Sequence, residues 1–343
     1  MSKLKQENSQ PNIGIRVSAP ARLHLGFLDL NGSSGRKFGS IGLAIDTHQT
    51  VVEARHASAI TVRDNSGFPT INRRVESIIE TFYATLGQHL HKDEQGVELS
   101  LLQRIPEHAG LGSGTQLALA IGTALCKLHN ISTNTRDIAS QLGRGARSGI
   151  GIATFDRGGF VIDGGLNNAS LLPPQLAHYD YPKDWSIIII MDETNHGIHG
   201  EQELTAFKNL PTFPLIDSQA ICHLALMKLL PALVELDIEQ FGHAITEIQA
   251  LLGDHFAPAQ GGRYTSPRVA SLLNYAKTLG HTGVAQSSWG PTGCIFLDNV
   301  HSARQLMNVL DLYAQKELKD QAGLSFKIAH GQSDGAKIET FTL

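Results

Sequence analysis

The residues best suited to chemistry are Gly110, Leu111, Gly112, Ser113, Gly114, Thr115 and Gln116, where glycine recurs at every second position just ahead of an apolar-periodic run. Glycine lets a backbone turn tightly and come close to a ligand. A helix opening at Ser113 or Thr115 would turn its unpaired N–H groups and the positive end of its dipole toward that loop. Such an end suits phosphate or pyrophosphate. The competing reading is a capped loop that only enters a core helix. The run has no Gly-Lys-Ser of a Walker loop, nor is it a dinucleotide fingerprint.

Other candidates lie far away in sequence. Arg144 and Arg147 flank a glycine and can grip a phosphate or a carboxylate with two parallel bonds, or else be surface arginines. Arg22 and His24 alternate with Leu23 and Leu25. Arg22 is read either as a ligand contact or as half of a buried ion pair, and His24 as a site residue or a satisfied core histidine. Asp29 can hold metal or cap the next turn. Asp163, ahead of Gly164-Gly165, can bond sugar hydroxyls or close its own turn. Gln286, Ser287 and Ser288 precede a second glycine turn and can line a cleft. Trp289 there can stack on an aromatic ligand or pack between lobes, and Gly290 follows it. His196 and His199 have metal-like spacing but no further ligand pair nearby, so chance explains them better than zinc. Glu201 and Glu203 suit the start of a helix, with a metal role as the alternative.

These residues need a scaffold. A chain of 343 residues with 41% hydrophobic and 17% charged side chains has ordinary globular composition. That length predicts two domains, divided here as 1–180 and 181–343. With 28 basic and 32 acidic side chains and a net charge of −4, no basic excess points to nucleic acid. The longest strongly apolar run, 187–191, is too short to span a bilayer. Three widely spaced cysteines fit a reducing cytoplasm better than a disulfide framework. Residues 1–10 read as a polar tail. Alternation predicts strands at 13–18, 23–30, 41–45, 50–54, 60–62, 96–102, 185–192, 282–286 and 294–297, with 324–328 closing the chain. Helical spacing marks 75–86, 116–128, 135–142, most of 202–252, 266–279 and 303–315. Residues 144–151 read as a loop and 154–165 as strand–turn–strand. The whole is mixed α+β in two lobes.

Three segments, 20–26, 106–116 and 287–296, together resemble the GHMP kinase superfamily in order and spacing. The resemblance implies an N-terminal lobe with a left-handed βαβ unit, a ferredoxin-like C-terminal lobe and a ligand between them. Many kinases of that superfamily carry Ser-Gly-x-Asp, whose Asp takes the proton from the hydroxyl being phosphorylated. Here the segment reads Ser148-Gly149-Ile150-Gly151, and glycine can take no proton. Gly114-Thr115-Gln116 also departs from the usual small residues. Homoserine kinases lack the Asp too, so a kinase remains the alternative.

The segments 22–29, 110–116, 143–151, 158–165 and 286–292 resemble the β-ribofuranosylaminobenzene 5′-phosphate synthase family of tetrahydromethanopterin biosynthesis. That resemblance implies a phosphoribosyltransferase that joins 5-phosphoribosyl-1-pyrophosphate to 4-aminobenzoate or 4-hydroxybenzoate and releases carbon dioxide and pyrophosphate. On that reading Arg22, His24 and Asp163 are catalytic. Residues 110–116 and Arg144, Arg147, Ser148, Gly149, Gln286, Ser287, Ser288, Trp289 and Gly290 bind substrate. Magnesium screens the pyrophosphate, through ligands the sequence does not identify, and no organic cofactor is needed. A homodimer is a further expectation.

Overall fold

Two long strands carry the first lobe: β1 (Ile13–Asp29) and β2 (Phe38–His56), paired antiparallel along most of their length. The sequence pattern divides each into two short strands, and the structure keeps both continuous. Pro20 and the polar stretch after Ile45 disturb the alternation, and a register shift between Pro20 and Ala21 absorbs the disturbance. A second shift, between His24 and Gly26, falls inside the first candidate motif. Next come β3 (Thr61–Asp64), α1 (Asn72–Ala84) and β4 (Val97–Gln103), with β3 parallel to β4 and α1 crossing between them. Helix α2 (Ser113–Leu128) is buried at every position from Gln116 to Cys126, as a central helix must be.

After α3 (Thr135–Gln141) the structure corrects the expected strand–turn–strand piece. Residues 150–157 form helix α4 (Ile150–Arg157), and only then does β5 (Phe160–Asp163) pair with β2 and with β6 (Gln175–Tyr179). Ile150, Ile152, Thr154 and Phe155 favour strand by type. Residues 150–155 are all buried, which erases the amphipathic signal that would have marked a helix.

The second lobe opens with β7 (Ser186–Asp192), followed by α5 (Gly200–Asn209), α6 (Leu215–Leu224), α7 (Leu230–Glu235), α8 (Ile238–Gln260) and α9 (Pro267–Thr278). It continues through β8 (Val284–Gln286), β9 (Thr292–Leu297), α10 (Val300–Glu317) and β10 (Leu324–Ala329). The antiparallel sheet order β10-β7-β9-β8 places these strands, in chain sequence, as 4-1-3-2, the ferredoxin-like arrangement. Strand β10 does not close the chain. A further strand, β11 (Lys337–Thr342), returns to the first sheet and pairs antiparallel with the Ile13–Ser18 half of β1. Its exposed and half-buried residues alternate weakly, so its pattern in sequence is faint.

The computed structural model describes residues 13–69, 71–195, 197, 200–318 and 320–342. The polar tail, His196 and His199 lie outside them. Among the described residues no helix is long and apolar enough to cross a membrane.

One apolar cluster joins the lobes, running from Leu23, Leu25, Ile41, Leu43 and Phe160 to Ile187, Ile189, Phe241 and Phe296. Phe241 on α8 is its hub. Its ring centroid lies 5.8 Å from that of Phe160, 5.2 Å from Trp185 and 5.4 Å from Phe296. Phe241→Ala is expected to lower unfolding free energy by about 3–5 kcal/mol. Because the core is shared, chemical denaturation of that variant should still show one transition by fluorescence and circular dichroism, at lower denaturant.

Candidate active site

The three motifs meet at one carbonyl. Gly110 Oxygen accepts from Arg22 Nη1 at 2.6 Å and from Ser287 Oγ at 2.7 Å. The Arg22 amide donates to the Leu111 carbonyl at 3.1 Å, and the Ser288 amide to the His24 carbonyl at 2.9 Å. Ser287 Oγ also accepts from the His24 amide at 3.0 Å, so this hydroxyl works as donor and acceptor at once. Backbone touches backbone here. A Cβ on Gly110 would lie 2.1 Å from the Ser287 carbonyl oxygen, and one on Gly290 2.4 Å from the Ala109 carbonyl and the Gly110 nitrogen. Gly110 and Gly112, at φ of 81° and 85°, also hold the left-handed conformation that favours glycine.

This turn leads straight into α2. The Thr115 and Gln116 amides donate to the Gly112 carbonyl, both at 3.1 Å, which leaves the amides of Ser113 and Gly114 at the helix mouth. Arginines surround that mouth. A Cβ on Gly112 would meet Arg22 Cγ and Nε at 3.1 Å, and one on Gly114 would meet Arg74 Nη2 at 2.6 Å and Arg144 Nη1 at 3.8 Å. Arg144 Nε is buried and has no hydrogen-bond partner. Burial, and then Arg74, pull the Arg144 pKa below the usual guanidinium range. Arg74 Nη1 pairs with Glu107, whose other oxygen lies 3.7 Å from Arg104 Nη1. Sequence reasoning missed Arg74, which stands on α1 outside every motif. Its one signal is the pair Arg73-Arg74 in a first turn that holds no acidic residue, against the helix dipole.

The loop bearing Arg144 and Arg147 is anchored by Asp163. This carboxylate accepts from the Gly149 amide at 2.8 Å, the Gly165 amide at 2.9 Å and Ser148 Oγ at 3.5 Å. It is 1% exposed, and burial raises its pKa. Its oxygens are thus occupied with holding the turn, the second of the two roles its sequence allows. Asp29 likewise caps its turn, accepting from the Asn31 and Gly32 amides at 2.8 and 3.0 Å and from Ser218 Oγ at 2.9 Å. Among the described residues no three His, Cys, Asp or Glu side chains converge as a metal site.

Directly after the loop, Gly151 packs under the start of α2. A Cβ there would sit 2.8 Å from Thr115 Cγ2, and Gln116 Nε2 donates to the Gly151 carbonyl at 2.9 Å. The two departures from the kinase pattern are therefore one feature. Thr115 fills the space in which a side chain at position 151 would begin, and Gln116 holds the backbone of that position.

His24 lies behind the arginines, edge-on to Phe27 at 4.7 Å. Burial foremost, then Arg22, with Arg147 adding, lowers its pKa to about 3. Trp289 is 3% exposed and packs on Phe256 at 4.6 Å. The crevice beside them, lined by His24, Phe27, Phe256 and Trp289, holds about 30 Å³, enough for one water and too small for a benzoate ring. Gln286 is occupied in shaping its turn, accepting from the Thr265 amide at 2.6 Å and donating to the Ser288 carbonyl at 2.9 Å. The structure thus gathers Arg22, Arg144, Ser287, Ser288 and Gly290 around residues 110–116, with Arg147 near enough to act on His24. It sets Asp163, Gly149, Gln286 and Trp289 behind as supports. Glu201 and Glu203 fall at the start of α5, where a helix opening was expected.

The GHMP kinases N terminal domain model matches residues 73–159, and the GHMP kinases C terminal model matches residues 229–314. A beta-ribofuranosylphenol 5′-phosphate synthase from Archaeoglobus fulgidus is 36% identical over 81% of this chain and 86% of its own. The protein of that name from Methanocaldococcus jannaschii is 32% identical over 87% of this chain and 94% of its own. Among solved structures, a homoserine kinase from Cytophaga hutchinsonii aligns at a TM-score of 0.63 and 19% identity, covering 98% of this chain and 100% of that one. A mevalonate-3-kinase from Thermoplasma acidophilum aligns at 0.65 and 13%, covering 96% and 99%. At those identities the likeness is one of fold, and it matches the two-lobed α+β architecture expected from the sequence.

One buried and two half-buried histidines carry a pH signature. His24, with a folded pKa of about 3, and His48 and His129, each at about 4, bind protons more readily unfolded than folded. Stability should therefore rise with pH from about 3 to 6.5, the ordinary histidine value, and be lost on acidification through that window. His24→Gln should flatten the acid limb of a melting-temperature profile. An unchanged limb in that variant would show that His24 is not held neutral.

Proposed function

The chain belongs to the beta-ribofuranosylphenol 5′-phosphate synthase family, built on the GHMP kinase fold, and on that premise we propose that it is a C-riboside synthase in tetrahydromethanopterin biosynthesis. It joins 5-phosphoribosyl-1-pyrophosphate to 4-hydroxybenzoate, the acceptor that the word phenol in its relatives' name favours over 4-aminobenzoate. The bond from the sugar's C1 to pyrophosphate breaks, and its electrons leave with pyrophosphate. The ring carbon bearing the carboxylate bonds to C1. The bond to the carboxylate then breaks, carbon dioxide departs, and its electrons restore the aromatic ring.

No step removes a proton, so the reaction needs no general base. That requirement suits Gly151, packed beneath Thr115 and Gln116, and this packing is the observation on which the reading chiefly rests. A histidine held neutral far below its ordinary pKa is equally unsuited to take a hydroxyl proton. What the chemistry does need is stabilisation of a departing polyanion. The Ser113 and Gly114 amides, Arg22 and Arg147 supply donors and positive charge where that anion forms. Asp29 and Asp163 are occupied with backbone amides, and among the described residues no three His, Cys, Asp or Glu side chains gather as a metal site. Magnesium accompanies the pyrophosphate as part of the donor.

The test is direct. Purified protein with magnesium, the donor and 4-hydroxybenzoate should release carbon dioxide and pyrophosphate in equal amounts, with the C-riboside identified by mass. ADP release from ATP with a hydroxyl acceptor, and no carbon dioxide, would contradict the proposal in favour of a kinase.

A further inference from the structure

We infer that Arg74 and Arg144 form a clamp for a phosphomonoester dianion, distinct from Arg22 and Arg147, the arginine pair that receives the pyrophosphate. The inference rests on the donor proposed above, which is phosphorylated at both ends.

The cations at the mouth of α2 fall into two groups. Arg22 lies against Gly112, and Arg22 and Arg147 both act on His24. Arg74 and Arg144 instead lie over Gly114, on the next residue but one of the same turn. The second pair is arranged against its own stability. Arg74 occupies the first turn of α1, where no acidic side chain offsets the dipole, and it faces the N-terminus of α2 as well. Its neighbour Arg144 keeps a buried Nε without a partner, and the charge of Arg74 is unfavourable to that of Arg144. Local conflict of this kind is expected at a binding site, where a ligand resolves it. Two planar guanidiniums side by side match the three oxygens of a terminal phosphate, to which each can donate twice. One carboxylate, Glu107, now partly balances the group through Arg74 and Arg104. Glu107 is the counter-ion with which the phosphate competes for Arg74.

Two probes separate the ends of the donor. By titration calorimetry, ribose 5-phosphate tests the clamp and inorganic pyrophosphate tests the turn. Arg74→Gln should weaken ribose 5-phosphate by about 10- to 100-fold and leave pyrophosphate within about threefold. In turnover it should raise KM for the donor and not for the benzoate. Glu107→Gln removes the competing carboxylate and should tighten ribose 5-phosphate, a gain that a merely damaged fold cannot produce. Unchanged ribose 5-phosphate affinity in Arg74→Gln overturns the clamp, and loss of pyrophosphate affinity instead overturns its assignment to the monoester. If the native protein binds neither probe, the proposed donor itself is wrong.

Discussion

The Gly110 carbonyl oxygen accepts one hydrogen bond from each lobe, from Arg22 on β1 and from Ser287 in the turn between β8 and β9. The geometry of the site follows from that junction. Residues 88 and 177 positions away in sequence are held to the same atom, which is possible only because Gly110 and Gly290 carry no Cβ. The contact fixes the direction in which α2 starts, and so where its free amides point. The apolar core beneath, centred on Phe241, is shared by the two lobes.

The same junction gathers positive charge. Arginines from β1, α1 and the 144–149 loop converge on the first turn of α2, and Glu107 is the carboxylate paired among them. Arg74 works against the charge of Arg144 there, and the clamp inferred above would let an anion relieve that conflict. The same field, added to burial, keeps His24 neutral. Converging arginines beside a histidine of lowered pKa are what the proposed reaction asks for, a site that stabilises a leaving group and does not deprotonate a nucleophile. The contact of Gly151 with Thr115 makes the same statement in steric terms.

The glycine turn and the helix after it are legible in the sequence because the signal is local: alternate glycines directly before a periodic helix need nothing distant to be interpreted. The partnership of Gly151 with Thr115 and Gln116 was half legible, since both departures stand in the sequence but their contact spans 35 positions. Helix α4 was misread because burial on every side removes periodicity and leaves only residue type, which favours strand. Strand β11 was missed because its register is set by β1, more than 300 positions earlier, and not by its own pattern. Arg74 belongs to no motif, and only the folded chain brings α1 to the mouth of α2. Asp163 and Gln286 stand out in the sequence by their place beside glycine turns, but only the hydrogen bonds reveal that both hold those turns.

The central claim is that free backbone amides at the start of α2 receive the donor's phosphoryl groups. Hydrogen exchange resolved to single residues, with and without 5-phosphoribosyl-1-pyrophosphate, measures this directly. The account predicts that the Ser113 and Gly114 amides, at the helix mouth, become the most strongly slowed on donor binding. Saturating donor that leaves those two amides exchanging as before, while protecting another surface, would contradict it.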